Sequence, residues 1–265
     1  MSATYSLAEL CIAACARVWA DDGEVLATGF TALPRIAAGL AKLTCNPALL
    51  ITDAESLLVE TPVPLGPRQA SDVKAEGWMS YARTFDIIHG GKRHALLAPV
   101  QIDRYGQTNI STIGERSKPK AALLGVRGLP SNTISHPNSY FIPSHARRAF
   151  VADEVDYVCG AGYNPARWPG GKISPFVDLR QIITNLAVMD FKGPDRQIRV
   201  VSLHPGVTFD EVQAATSFPL ACLEALTTTP GPTAEELQLI REVLDPHDLR
   251  SSVFKGNPPA GSADG

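Results

Sequence analysis

The stretch Glu24-Val25-Leu26-Ala27-Thr28, then Gly29-Phe30-Thr31-Ala32-Leu33-Pro34, then residues 35–43 and Leu49-Leu50-Ile51-Thr52, decides the fold. Residues 24–28 read as a strand. Residues 29–33 form a short loop. Pro34 stands where the first turn of a helix tolerates a missing N–H, and the helical pattern runs to about residue 43. Residues 49–52 read as a second strand. A strand, a helix and a strand joined this closely argue for a parallel sheet with helical crossovers, that is, an α/β fold.

Upstream, Ser6 and Glu9 form a Ser-x-x-Glu capping box. Behind it Leu7, Leu10, Cys11, Ala14, Cys15, Val18 and Trp19 recur at helical spacing, which predicts one buried face. Downstream, residues 61–67 carry three prolines and a glycine and read as a surface loop. Residues 76–88 read as a helix ended by Gly90-Gly91. Residues 94–101 and 120–124 are strand-like, and 133–160 become short strands between turns. Residues 160–175 are a Gly/Pro-rich excursion. Residues 181–191 and 197–203 read as a hairpin around Gly193-Pro194. Thr208 with Glu211, and Thr233 with Glu236, cap two closing helices. The expected organisation is one α/β domain over residues 1–250, with a mainly parallel sheet flanked by helices and a β-rich second half. Residues 251–265, rich in Gly, Pro, Ser and Asp, read as a disordered tail.

The 265 residues carry a net charge of −3 and no basic stripe, which argues against a nucleic-acid partner. No apolar run is long enough to span a bilayer, and residues 1–10 lack the pattern of a signal peptide, so the cytoplasm is the expected location. The five cysteines match no zinc spacing, and Cys11 and Cys15 read as small core residues. No His-x-x-x-His pair and no Gly-x-Ser-x-Gly elbow appears, so metal hydrolases and serine hydrolases have little support. His136, His145 and His204 read as hydrogen-bonding loop residues at the surface.

Ligands of open α/β sheets bind at the carboxyl ends of strands. Three loops qualify. One is 29–34. A second holds Asp53 and Glu55, which could serve as nucleophile or base; Asp53 could equally cap a helix. The third is Gly125-Val126-Arg127-Gly128-Leu129-Pro130-Ser131-Asn132. Its two glycines would let backbone N–H groups approach an anion or a polarised carbonyl, or they form a plain turn.

Val100-Gln101-Ile102-Asp103-Arg104-Tyr105-Gly106-Gln107-Thr108-Asn109 resembles the Q-I-D-x-Y-G-N-x-N stretch of class I CoA-transferase β subunits. Ser202-Leu203-His204-Pro205-Gly206-Val207-Thr208 and residues 239–246 resemble later segments of that family, in order. The resemblance covers about residues 7–246 and implies the class I CoA-transferase-like fold. It places Gly125, Arg127, Gly128, Asn132 and Asn109 at the CoA or substrate. The family's transferases carry a nucleophilic glutamate where ungapped matching puts Ala54, with Asp53 and Glu55 on either side. Gly125-Val126-Arg127-Gly128, Asn132-Thr133-Ile134 with His136, and Glu76-Gly77-Trp78-Met79 resemble the family's steroid ring-cleaving hydrolase branch. That branch implies a β subunit acting on an acyl-CoA, with no cofactor and no metal. It also implies an α2β2 heterotetramer whose α subunit holds the main catalytic glutamate. A CoA-transferase with Glu55 as nucleophile, and a catalytically silent scaffold, are the alternatives.

Overall fold

The computed structural model describes residues 3–53, 56–69, 71 and 73–263. These residues gather in two compact units, one formed by residues 1–97 with 230–265 and the other by 98–229. A single domain was expected over 1–250. The composition is alike on both sides of each boundary, so the sequence carries no mark of the division.

The first unit begins with β1 (Ala3–Ser6) and α1 (Leu7–Ala16). The capping box forms as expected: Ser6 Oγ accepts from Glu9 N at 3.4 Å, and Glu9 Oε2 accepts from Ser6 N at 2.9 Å. Residues Ala8 through Ala16 are all buried, not one face alone. The helix is rich in Ala and Cys, and its small side chains let neighbours close around it. It packs on α2 (Ala32–Leu43), which follows β2 (Leu26–Gly29). β3 (Thr52–Asp53), β4 (Leu57–Val59) and β5 (Ala75–Trp78) form an antiparallel ribbon. The helix expected from residue 76 therefore starts later, as α3 (Tyr81–His89), with Ser80 as its N-cap. Gly77 is a poor helix former, and Gly77 and Trp78 instead face Leu58 and Leu57 across the ribbon. β6 (Arg93–Leu97) pairs in parallel with β2, and Leu50 bridges Leu26 in parallel on the same strand. This is the β-α-β arrangement that the opening stretch predicts.

The second unit holds β7 (Gln101–Ile102), β8 (Thr108–Asn109), β9 (Thr112–Ile113), β10 (Ala121–Ala122), a short α4 (Leu129–Asn132) and β11 (Asn138–Ile142). Then come β12 (Leu179–Thr184), β13 (Ala187–Asp190), β14 (Arg199–Leu203), α5 (Phe209–Ala214) and β15 (Ala221–Thr228). Its sheet runs in the order β11-β12-β13-β14-β15. The outer pairs are parallel and the two inner ones antiparallel, so this sheet is mixed. The cause is a tight turn inside 181–191. Thr184 Oγ1 accepts from Leu186 N at 3.0 Å and Ala187 N at 3.1 Å, which folds one expected strand into two.

The chain then returns to the first unit with α6 (Ala234–Gln238), a π turn (Leu239–Leu244) and β16 (Pro259–Ala263). β16 pairs antiparallel with β1, so residues 259–263 of the expected disordered tail form a strand. Gly261 lies so close to Tyr5 that an added Cβ would come within 2.4 Å of the phenol oxygen. The small residues that look like disorder are what the close approach requires. Among the described residues no helix is long and apolar enough to cross a membrane.

Candidate functional site

In the first unit β2 and β3 end beside a pocket of about 220 Å³, lined by Gly29, Phe30, Arg35, Thr52, Pro62 and Leu244 among others. Asp53, 7% exposed, lies in β3 and pairs with Leu57 of β4, a strand position and not a helix cap. Its carboxylate meets two guanidinium groups. Arg35, from the first turn of α2, donates to Oδ1 at 2.9 Å. Arg68 donates from Nη2 to Oδ1 at 2.5 Å and Oδ2 at 2.6 Å. Burial opposes ionisation of Asp53, but the Arg68 and Arg35 contacts outweigh it and hold the carboxyl below its ordinary range. A carboxylate so held is a weak base. Glu55 lies outside the described residues. Sequence reasoning missed Arg35 and Arg68, because neither stands in a motif and only the fold brings them to Asp53.

In the second unit residues 101–109 form a hairpin in which β7 pairs with β8. Asp103 is its organiser: Oδ1 accepts from Tyr105 N at 2.9 Å and Gln107 N at 3.1 Å. Asn109 is fully buried and its polar atoms are engaged inside the protein. Nδ2 donates to Gln101 Oε1 and Thr112 O, both at 2.7 Å, and Oδ1 accepts from Ser111 N at 2.8 Å. The resemblance put Asn109 at the substrate; the structure makes it a support of the loop. Gln107, which stands where the family has asparagine, reaches Glu154 Oε1 at 2.8 Å, and Glu154 also takes Arg167. The same Gln107 lines a pocket of about 310 Å³ with Pro130, Cys159, Gly162, Arg167 and Trp168.

The glycine loop precedes α4. Gly125 has φ +77° and Arg127 φ +48°, both left-handed. Gly128 has φ −84° and caps α4, and an added Cβ there would meet only the Asn132 amide, at 3.7 Å. Among the described residues no acceptor takes the N–H groups of residues 125, 126, 127 or 128. The loop therefore presents four consecutive unclaimed donors, the feature that an oxyanion or thioester oxygen can use. Asn132 closes the α4 turn by donating its N–H to Gly128 O at 2.9 Å, and its carbonyl accepts from Asn138 Nδ2 at 3.0 Å.

The histidines expected at the surface are buried instead. His145 bonds Thr184 Oγ1 and Thr216 Oγ1, and His204 bonds Thr229 Oγ1 and Thr184 O. Burial lowers each to about 4, so both are neutral structural links. Cys11 and Cys15 are buried and burial pushes both thiols up, as core residues should be.

No protein-family model matches the chain. It is 44% identical over 243 residues to the IpdB subunit of the cholesterol ring-cleaving hydrolase of Rhodococcus jostii RHA1, covering 92% of this chain and 94% of that one. It is 30% identical over 247 residues to the B subunit of the 3-oxoadipate CoA-transferase of Pseudomonas knackmussii, covering 89% and 92%. The crystal structure of Rhodococcus jostii RHA1 IpdAB matches with a TM-score of 0.86 at 43% identity, over 94% of this chain and 98% of that one.

Proposed function

The chain belongs to the family of the IpdB subunits of cholesterol ring-cleaving hydrolases, a branch of the class I CoA-transferase group, and on that premise we propose that it is the β subunit of such a hydrolase. With an α subunit, as a cytoplasmic α2β2 assembly, it opens a ring of a CoA-thioester intermediate of steroid degradation by adding water across a carbon–carbon bond. One observation carries this reading. The 44% identity runs over 92% of the chain and so extends through both compact units, not through one motif.

The chemistry asks little of this chain by way of proton transfer. Water attacks a ring ketone placed β to the thioester carbonyl, with a base taking its proton. The bond between the ketone carbon and the carbon α to the thioester breaks. Its electron pair delocalises into the thioester as an enolate, which is then protonated. The base is assigned to the α subunit, because Asp53 is held ionised between two arginines. The unclaimed amides of Gly125, Val126, Arg127 and Gly128 suit the enolate oxygen, and the CoA moiety orients the ring. Water, a base and an enolate acceptor suffice, so this reading calls for no cofactor beyond the CoA of the substrate.

A CoA-transferase would need a carboxylate nucleophile, and Ala54 stands at the position matched to it, leaving Glu55 beside it. The test is turnover of the complex co-purified with its α subunit. Glu55→Gln should keep activity within about ten-fold, since a supporting polar contact is worth about 1 kcal/mol. Gly128→Val should fold, given its ordinary φ, yet lose on the order of a hundred-fold in rate. A folded but inactive Glu55→Gln complex, with a hydroxylamine-trappable glutamyl thioester in the wild type alone, would make the enzyme a transferase.

A further inference from the structure

We propose that Arg35 and Arg68 form the receptor for the carboxylate that ring opening releases. The inference rests on the ring-cleavage reading for its ligand but stands on its own geometry. Two guanidinium groups converge on one carboxylate oxygen, Asp53 Oδ1, at 2.9 and 2.5 Å. A structural ion pair needs one cation to neutralise one anion. Counted over the described residues, this cluster keeps a surplus positive charge. Among the described residues Arg35 gives Asp53 one of its five N–H donors and Arg68 donates from Nη2 alone, so both forks keep donors that no described residue takes. Their side chains are 38% and 29% exposed, so those donors are reachable.

The place is suited to an anion for a second reason. Arg35 lines the pocket of about 220 Å³ where β2 and β3 end. The first turn of α2 begins beside it, and its N-cap Thr31 makes no side-chain cap bond. The N–H groups of Ala32 and Leu33 meet no acceptor among the described residues. A helix of this length adds a partial positive charge at that end. Beside Thr28 and Thr52, the walls include the apolar Ile36, Ile51, Val59, Pro62 and Leu244, which can flank a hydrocarbon stem. The site thus takes a short aliphatic chain that ends in an anion.

Hydrolysis supplies such a group. The ketone carbon gains the oxygen of water, loses its bond to the carbon α to the thioester, and becomes the carboxylic acid at the far end of the opened chain, where it ionises. The α carbon keeps the electron pair and takes one proton. The ring-closed reactant has no charge at that carbon and the product has one. A cationic receptor there favours the opened chain over the closed ring.

Isothermal titration of the complex co-purified with its α subunit tests this without any turnover. The probes are pimeloyl-CoA, which ends in a carboxylate as an opened six-membered ring would, and heptanoyl-CoA, its uncharged counterpart. Wild type should bind pimeloyl-CoA at least about ten-fold tighter, as a charge-assisted contact allows. Arg35→Gln and Arg68→Gln should each narrow the ratio to about three-fold or less and leave heptanoyl-CoA affinity in place. Arg35→Lys and Arg68→Lys keep the charge and should fall between, which covers any failure of a Gln variant to fold. A purely structural pair would instead lower thermal stability and weaken both ligands alike. A wild-type ratio near one, or Gln variants that keep the wild-type ratio, would overturn the proposal. Absence of ring cleavage with the ratio intact would overturn the functional reading and leave the receptor standing.

Discussion

Asp103 shows how one buried residue can carry a pH signature. It is 1% exposed, and burial pushes its carboxyl up to about 7, although the Tyr105 and Gln107 amides pull it down. An unfolded aspartate titrates near 3.9. The folded state therefore binds the extra proton between about pH 4 and 7. The resulting stability is full below the unfolded value and is lost as pH rises through about 7. His145 and His204, lowered to about 4, act with the opposite sign: their contribution is present above about 6.5 and is lost as pH falls toward 4. Because the two slopes oppose each other, wild type alone does not isolate Asp103, whereas a variant does. Asn can accept the same two amide bonds without the charge. The melting temperature of Asp103→Asn minus that of wild type should rise by several degrees from pH 5 to pH 8. A difference that stays flat over that range would mean that Asp103 titrates as an ordinary carboxylate.

At the scale of elements, α1 is tied down at its head by charge as well as by its cap. Glu9 is 2% exposed and serves two purposes. It closes the capping box, and it takes Arg241 Nε at 2.7 Å and Arg250 Nε at 3.2 Å. Burial works against its ionisation, and the Arg241 bond and the Ser6 amide outweigh it, so the carboxyl stays below its ordinary range. The cluster thereby joins α1 to the π turn and to the 3-10 turn Leu249–Ser252, which leads on to β16. Glu9→Ala leaves the Arg250 guanidinium with Asp245 and Asp248 as its remaining carboxylates. Removing one partner of a buried network typically costs about 3 kcal/mol. Urea denaturation should show a lower midpoint at unchanged slope, and limited proteolysis should cut after residue 250 sooner than in wild type. An unchanged midpoint would show that the cap and the apolar packing suffice.

At the scale of the molecule, the first unit leaves Trp78, Tyr81 and Phe85 at 74, 69 and 54% exposure, close together in sequence where β5 runs into α3. The second unit leaves Leu124 and Phe176 at 70 and 69%. Apolar side chains of this size at such exposure are a liability in a free chain and an asset in an obligate subunit. Produced alone, the chain should aggregate or elute as a broad high-mass species. Co-produced with its α subunit, it should elute as one heteromeric peak, for which size exclusion with light scattering is the measurement. A monodisperse monomer that cleaves rings without a partner would refute the subunit assignment.

What the sequence determined by itself is what neighbours along the chain decide. The capping boxes of Ser6 and Glu9, Thr208 and Glu211, and Thr233 and Glu236 all form, because residues three apart are brought together by the first helical turn. The β-α-β order around Pro34 and the position of the glycine loop were legible for the same reason. The tertiary structure alone decided the rest. Arg35 and Arg68 reach Asp53 across 18 and 15 residues, and Arg241 reaches Glu9 across 232. Gly261 meets Tyr5, and the turn at Thr184 divides one expected strand into two antiparallel ones. No spacing rule links such pairs, because their meeting depends on how the elements pack and not on the period of any one of them.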